Sequence, residues 1–146
     1  MRIYLAGSIF TPYERSFLAD CAERLRADGF DVFVPHEQGL VGLDATPEAV
    51  FAVDAGGVES ADAVLAVLDG PSVDDGTACE IGLFYGLKQG DPARKGVVGL
   101  ITDLRAERRG DFAINLFVRG CIEASGGSVV DSLDEALATL QRWRSE

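Results

Sequence analysis

Ala63-Val64-Leu65-Ala66-Val67-Leu68 is an unbroken apolar run. Nothing in it alternates between apolar and polar, so it lacks the pattern of a strand with one wet face. A short run of this kind ending in the turn Asp69-Gly70-Pro71 reads as a strand covered on both faces. Such a strand needs helices on both sides, and the flanking chain supplies them. Upstream, Thr46-Pro47-Glu48 carries a Thr N-cap and a Pro at the first helical position, opening a helix through Ala61 whose second half is weakened by Gly56 and Gly57. Before it, Phe30 to Val34 reads as a strand stopped by Pro35 and followed by a Gly-rich loop. Arg2 to Ala6 is a β-prone opening run that ends in Gly7-Ser8. Thr11-Pro12-Tyr13-Glu14 is then a capping box, with Phe17, Leu18, Cys21, Ala22 and Leu25 at helical spacing before a stop at Gly29.

Downstream of the apolar run, the acidic turn Val73-Asp74-Asp75-Gly76 leads into a helix from Thr77 to Gln89 that stops at Gly90. Val97 to Ile101 is the next strand, followed by a charged, mobile connection with Arg105, Glu107, Arg108 and Arg109. A helix starting near Asn115 and a strand at Ser128 to Val130 come next. Ser132-Leu133-Asp134-Glu135 is a further capping box, opening a last helix that runs to about Arg144. Strands alternating with helices in this way specify a three-layer α/β sandwich of flavodoxin-like type, with a five-stranded parallel sheet in the order 2-1-3-4-5, as one domain over residues 1–146. In such a sheet a ligand sits at the carboxyl ends of the strands where the order reverses, between the first and third. Tyr4 to Ser8, Asp69 to Glu80 and Asp111 to Asn115 are the segments expected there.

Composition narrows the function. The 146 residues are 47% hydrophobic and 25% charged, enough to bury a core without disulfides or metal. No apolar stretch is long enough to span a bilayer, so neither a membrane nor an exported location is expected and the protein reads as cytoplasmic. Thirteen Lys and Arg against 24 Asp and Glu leave a net charge of −11, which repels a phosphate backbone and argues against nucleic acid. Cys21, Cys79 and Cys121 are odd in number and widely spaced, so they suggest neither a disulfide framework nor a zinc site and read as small buried hydrophobes. His36 is the one histidine, so acid/base work falls to carboxylates.

Taken singly, the polar residues near the strand ends have ordinary explanations beside functional ones. Glu80 is expected in the first turn of its helix, where dipole and free N–H groups favour an ionised carboxylate. That suits either plain charge complementarity or a nucleophile. Asp54, one turn from Val50 and Val58, lies at the side of an apolar stripe, as a solvated residue or an acid/base group. Tyr4 is either core packing with a satisfied hydroxyl or an orienting donor, and Asn115 a helix N-cap or a ligand contact. Gly7-Ser8 lacks the full pattern of a phosphate-cradling loop. His36 and Gln38, after the second strand, are placed to touch a base.

In combination they say more. IYLAGSIF (Ile3–Phe10), VDAGGVESADAVLAVLDGP (Val53–Pro71), DDGTACEIG (Asp74–Gly82) and AINLF (Ala113–Phe117) closely resemble the nucleoside 2-deoxyribosyltransferase family, over about Ile3 to Phe117. The resemblance implies enzymes that move 2-deoxyribose between bases and assemble as dimers or larger homo-oligomers, with the site near a subunit interface. It implies nucleosides and nucleobases as partners and neither a metal nor another cofactor. Carried over residue by residue, the nucleophilic glutamate falls on Glu80, the general acid/base on Asp54 and the tyrosine that orients the nucleophile on Tyr4. The sugar-side contacts fall on Asp74 and Asn115, and the turn after the first strand on Gly7, Ser8 and Phe10. A sister group that hydrolyses nucleoside 5′-monophosphates usually has an arginine after the first-strand GSI and a serine six residues before its glutamate. Phe10 and Asp74 stand there instead, which favours nucleosides and leaves the nucleotide hydrolase as the alternative. The chain ends Trp143-Arg144-Ser145-Glu146, without the terminal tyrosine after which some transferases of the family lend a carboxylate to a neighbour's site. A non-catalytic nucleoside-sensing module on the same fold is the reading from a different class.

Overall fold

The computed structural model describes residues 1–40, 45–110 and 113–146. Five strands form one sheet: β1 (Arg2–Ala6), β2 (Asp31–Phe33), β3 (Ala63–Val67), β4 (Val97–Leu100) and β5 (Ser128–Val130). All neighbours pair in parallel, in the order β2-β1-β3-β4-β5. The flavodoxin-like arrangement expected from the sequence is therefore the observed one.

Side chains alternate across a strand, so each strand feeds two cores. Ile3 and Leu5 of β1 face one way and join Leu18, Cys21, Ala22 and Leu25 of α1 (Pro12–Ala27) and Ala136, Leu137, Leu140 and Trp143 of α6 (Leu133–Ser145). Tyr4 and Ala6 face the other way. They join Val58 of α2 (Pro47–Glu59), Ile81 and Phe84 of α3 (Asp75–Gly90), and Cys121 and Ile122 of α5 (Leu116–Ala124). The alternation of β1 thus points Tyr4 at the layer that carries Asp54 and Glu80. Ala63 to Ala66 are fully buried, as a strand covered on both faces requires.

The expected caps start the helices. Thr11 accepts from the Glu14 amide while the Glu14 carboxylate accepts from the Thr11 amide, and Thr46 and Ser132 accept from Ala49 and Glu135. Gly29, at φ +83°, takes the left-handed turn that sends the chain from α1 into β2.

Three expectations change. α3 begins at Asp75, two residues ahead of Thr77, because Asp74 rather than Gly76 supplies the cap: its carboxylate accepts from the Thr77 amide at 3.0 Å. The charged connection after β4 holds a short helix, α4 (Arg105–Arg109), so it is not irregular throughout. Cys21 and Cys121 are buried as expected, but Cys79 is exposed on α3. Asp111 lies outside the described residues. No helix among the described residues is long and apolar enough to cross a membrane.

Candidate active site

The strand order reverses between β1 and β3, and a cleft of about 490 Å³ opens at their carboxyl ends. One wall comes from the turn after β1, with Gly7, Ile9 and Phe10. A second comes from Asp74, Gly76, Thr77 and Glu80 at the start of α3, and a third from Val50 and Asp54 of α2; Pro35, Leu40 and Ala45 close the rest. Among the described residues, every charged residue lining it is acidic. A neighbouring apolar hollow of about 360 Å³ between α2 and α3 shares Val50, Asp54, Gly76 and Glu80 and adds Phe51, Cys79 and Leu83.

Glu80 lies in the second turn of α3, since the helix begins at Asp75, and so loses the end-of-helix stabilisation expected for it. Its environment opposes the expected ionisation. Burial pushes its carboxyl up to about 8, the hydrogen bond from Tyr4 pulls against that, and the nearby charges of Asp54 and Asp74 push the same way as burial. Tyr4 donates its hydroxyl to Glu80 Oε1 at 2.6 Å. Burial first, and the Glu80 charge second, raise the Tyr4 phenol far above its ordinary range, so the hydroxyl stays a donor. Asp54 is half-buried in the same cleft, and desolvation raises its carboxyl too. Two acids with raised affinity for protons on one cleft, one of them holding a tyrosine proton, form a group able to exchange protons and to stabilise positive charge.

The shift of Glu80 is also a statement about stability. Unfolded, the side chain titrates near 4.5; folded, near 8, so between these values the native state holds a proton that the unfolded state has released. The contribution is fully present below the lower value and disappears as pH rises through the upper one. In denaturant melts from pH 5 to 9, wild type should therefore lose stability relative to Glu80→Gln, by on the order of 2–4 kcal/mol across the window. Parallel curves for the two chains would contradict it.

The remaining residues singled out in the sequence divide. Asp74 lines the cleft, but one of its oxygens is engaged in capping α3, accepting from the Thr77 amide and, at 3.3 Å, from the Thr77 hydroxyl. Gly7 and Phe10 line the cleft, Phe10 with 75% of its surface exposed. Ser8 does not. It faces a separate hollow of about 210 Å³ on the α1 side with Glu14, whose carboxyl it helps to hold below its ordinary value by hydrogen bonding.

His36 and Gln38 sit in a single 3-10 turn, Pro35–Gln38, where the Gln38 amide donates to the Val34 carbonyl at 3.0 Å; it is Pro35 and Leu40 from this stretch that line the cleft. Asn115 is exposed and is not among the residues that line the cleft. Its Oδ1 caps α5 by accepting from the amides of Phe117 and Val118. Asp69 is occupied in tying the end of β3 to the chain after β4, accepting from Thr102 and from the Asp103 amide. Sequence reading missed Leu40 and Ala45, which are apolar residues in irregular segments and carry no periodic signal. Among the described residues no three His, Cys, Asp or Glu side chains are grouped as a metal site needs.

Fold and cleft together define an α/β protein with a carboxylate-rich ligand site at the switch point of a parallel sheet. The chain belongs to the nucleoside 2-deoxyribosyltransferase family, whose model matches residues 3–133, and so to enzymes acting on the N-glycosidic bonds of nucleosides. Its structure is similar to that of a conserved protein from Enterococcus faecalis V583, with 27% identity, a TM-score of 0.81, and coverage of 97% of this chain and 98% of that one. It is also similar in fold to a 2-deoxyribosyltransferase from Bacillus psychrosaccharolyticus (24% identity, TM-score 0.69, 93% and 90% covered). A CMP N-glycosidase from Clostridium botulinum has the same fold (18%, 0.64, 98% and 99%). No curated protein sequence matches the chain significantly.

Proposed function

We propose that this chain is a nucleoside 2-deoxyribosyltransferase, exchanging the base of 2′-deoxynucleosides through a covalent 2-deoxyribosyl ester on Glu80. In the first step the Glu80 carboxylate bonds to C1′ as the N-glycosidic bond breaks. The bonding pair leaves with the base, and Asp54 donates the proton the base then needs. In the second, a nitrogen of the incoming base attacks C1′, the ester bond breaks to restore the carboxylate, and Asp54 takes the proton back. Two displacements give net retention at the anomeric carbon. Tyr4 holds Glu80 in line, while Asp74 and Asn115 orient the sugar. Homo-oligomerisation with the site near the subunit interface belongs to the same proposal.

The observation that carries it is the 2.6 Å hydrogen bond from Tyr4 to Glu80 in a cleft that Asp54 also lines. Burial and two acidic neighbours oppose the charge of Glu80 and raise its affinity for a proton. Positive charge developing on the sugar offsets that opposition and favours the carboxylate where the bond to C1′ forms. A site that only bound a nucleoside would have no use for this pair. The walls favour a nucleoside over a nucleotide, because no Lys, Arg or His lines the cleft among the described residues and a phosphate would face Asp54, Asp74 and Glu80.

The test is incubation with 2′-deoxyinosine or thymidine, with and without adenine as acceptor, followed by chromatography. The expected result is 2′-deoxyadenosine formed only when adenine is present. Free base released equally well without an acceptor would make the chain a hydrolase, and deoxynucleoside monophosphates would then be the substrates to compare. Binding without turnover of either class would leave a sensing module.

A further inference from the structure

Phe33 closes β2 directly beside Tyr4 in the register of the neighbouring strand. The two rings stack with centroids 5.3 Å apart and planes 14° from parallel. α2 approaches the Phe33 ring through Gly57, which lies three residues after Asp54 and so on a neighbouring position of the same helix face. A Cβ at Gly57 would stand 2.6 Å from Cε1 and 2.8 Å from Cδ1 and Cζ of Phe33. Such contacts are well inside the van der Waals limit, and the ring cannot swing away freely because Tyr4 lies against it. The preceding residue offers a contrast on the same helix: a Cβ at Gly56 would meet nothing within 4 Å.

We infer that Phe33 and Gly57 are positioning residues, the Phe33 ring serving as a spacer between α2 and Tyr4 that sets where Asp54 stands relative to the Tyr4–Glu80 pair. The inference rests on the roles proposed above for Asp54 and Glu80. A glycine inside a helix weakens it relative to alanine, and at Gly57 the weakness is accepted because only a bare backbone lets α2 ride against the ring. A methyl there pushes either the helix, with Asp54, or the ring, with Tyr4. Both movements alter the geometry of the same pair of carboxylates.

The experiment compares two alanine substitutions one residue apart. Gly57→Ala is expected to lower kcat on the order of 10²-fold, the effect of moving a reacting group by about an ångström, while Gly56→Ala stays within about twofold of wild type. Phe33→Leu, which removes ring atoms that a Gly57 methyl would strike, should recover at least about tenfold of the loss in the Gly57→Ala background, as coupled neighbours do. Equal activity of the two folded alanine variants, or a loss that Phe33→Leu does not relieve, would overturn the inference.

A second measurement needs no substrate and no Gly57 variant. In the ligand-free chain, carboxyl 13C NMR follows the titration of Glu80, which faces Tyr4, Asp54 and Asp74. Phe33→Leu should raise its midpoint by loosening the Tyr4 hydrogen bond, and should cause no further rise in a Tyr4→Phe background. A shift that persists undiminished without the Tyr4 hydroxyl would show that Phe33 does not act through it. If wild type turns over no nucleoside, the functional reading fails on its own, and this titration cycle still decides whether Phe33 positions Tyr4.

Discussion

Glu80→Gln should leave a folded chain whose transferase turnover is lower by roughly 10⁴–10⁶-fold, the scale on which loss of an attacking group acts. The substitution does not destabilise the fold, and above the ordinary carboxyl range it raises stability, as the linkage above requires. Glutamine keeps an oxygen that can accept the Tyr4 hydroxyl at the position Glu80 Oε1 now occupies, and it removes a carboxyl whose charge burial opposes. What it removes is the ability to become an anion beneath C1′ and to form the ester. Single-turnover mass spectrometry gives the direct check, with a 2-deoxyribosyl adduct on the wild-type chain and none on the variant. A folded variant that retained more than a hundredth or so of wild-type turnover would remove Glu80 from the nucleophile's role, because no other contact on the substrate can substitute for a bond.

Asp54→Asn should lower transfer from a natural deoxynucleoside by about 10²–10⁴-fold, the usual contribution of a positioned acid/base group. The physical argument is that a purine or pyrimidine leaves poorly as an anion, so the N-glycosidic bond breaks well only when a proton arrives. Burial raises the Asp54 carboxyl, which is what allows a carboxylic acid to hold a proton for delivery. A donor whose leaving group departs without a proton, such as the 2-deoxyriboside of an acidic phenol, should therefore recover most of the first-step rate in the variant. Comparing single-turnover release from the two donors makes the distinction. Equal losses on both would assign Asp54 to binding or packing and leave the proton to another group.

Much of the architecture could be read locally. A Thr, Pro and Glu in the right order mark where α1 starts, an unbroken apolar run marks a strand with two covered faces, and the alternation of such segments leaves few topologies for a parallel sheet. The same regularity puts Tyr4, Asp74 and Glu80 at the switch point, because strand ends and helix starts are themselves local features. The stretch after β2 was less legible. His36 and Gln38 look like the polar residues a base would want, yet Pro35 and Leu40 line the cleft, since the 3-10 turn and the left-handed Gly39 after it set which side chains point inward.

By itself, then, the sequence determined the order of elements, the parallel sheet, the family, and the residue types gathered near the reversal of strand order. Only the tertiary structure decided their chemical state. Sequence favours an ionised Glu80 at a helix start; the fold buries it in the second turn of α3, brings it to a tyrosine hydroxyl 76 residues away and sets it near two other acids, so that its affinity for a proton rises instead. The close seat of Gly57 on Phe33 is equally invisible in one dimension. Local patterns encode backbone hydrogen bonding and which face is apolar, whereas a pKa or a steric limit is a sum over neighbours from several segments, and those neighbours exist only once the chain has folded.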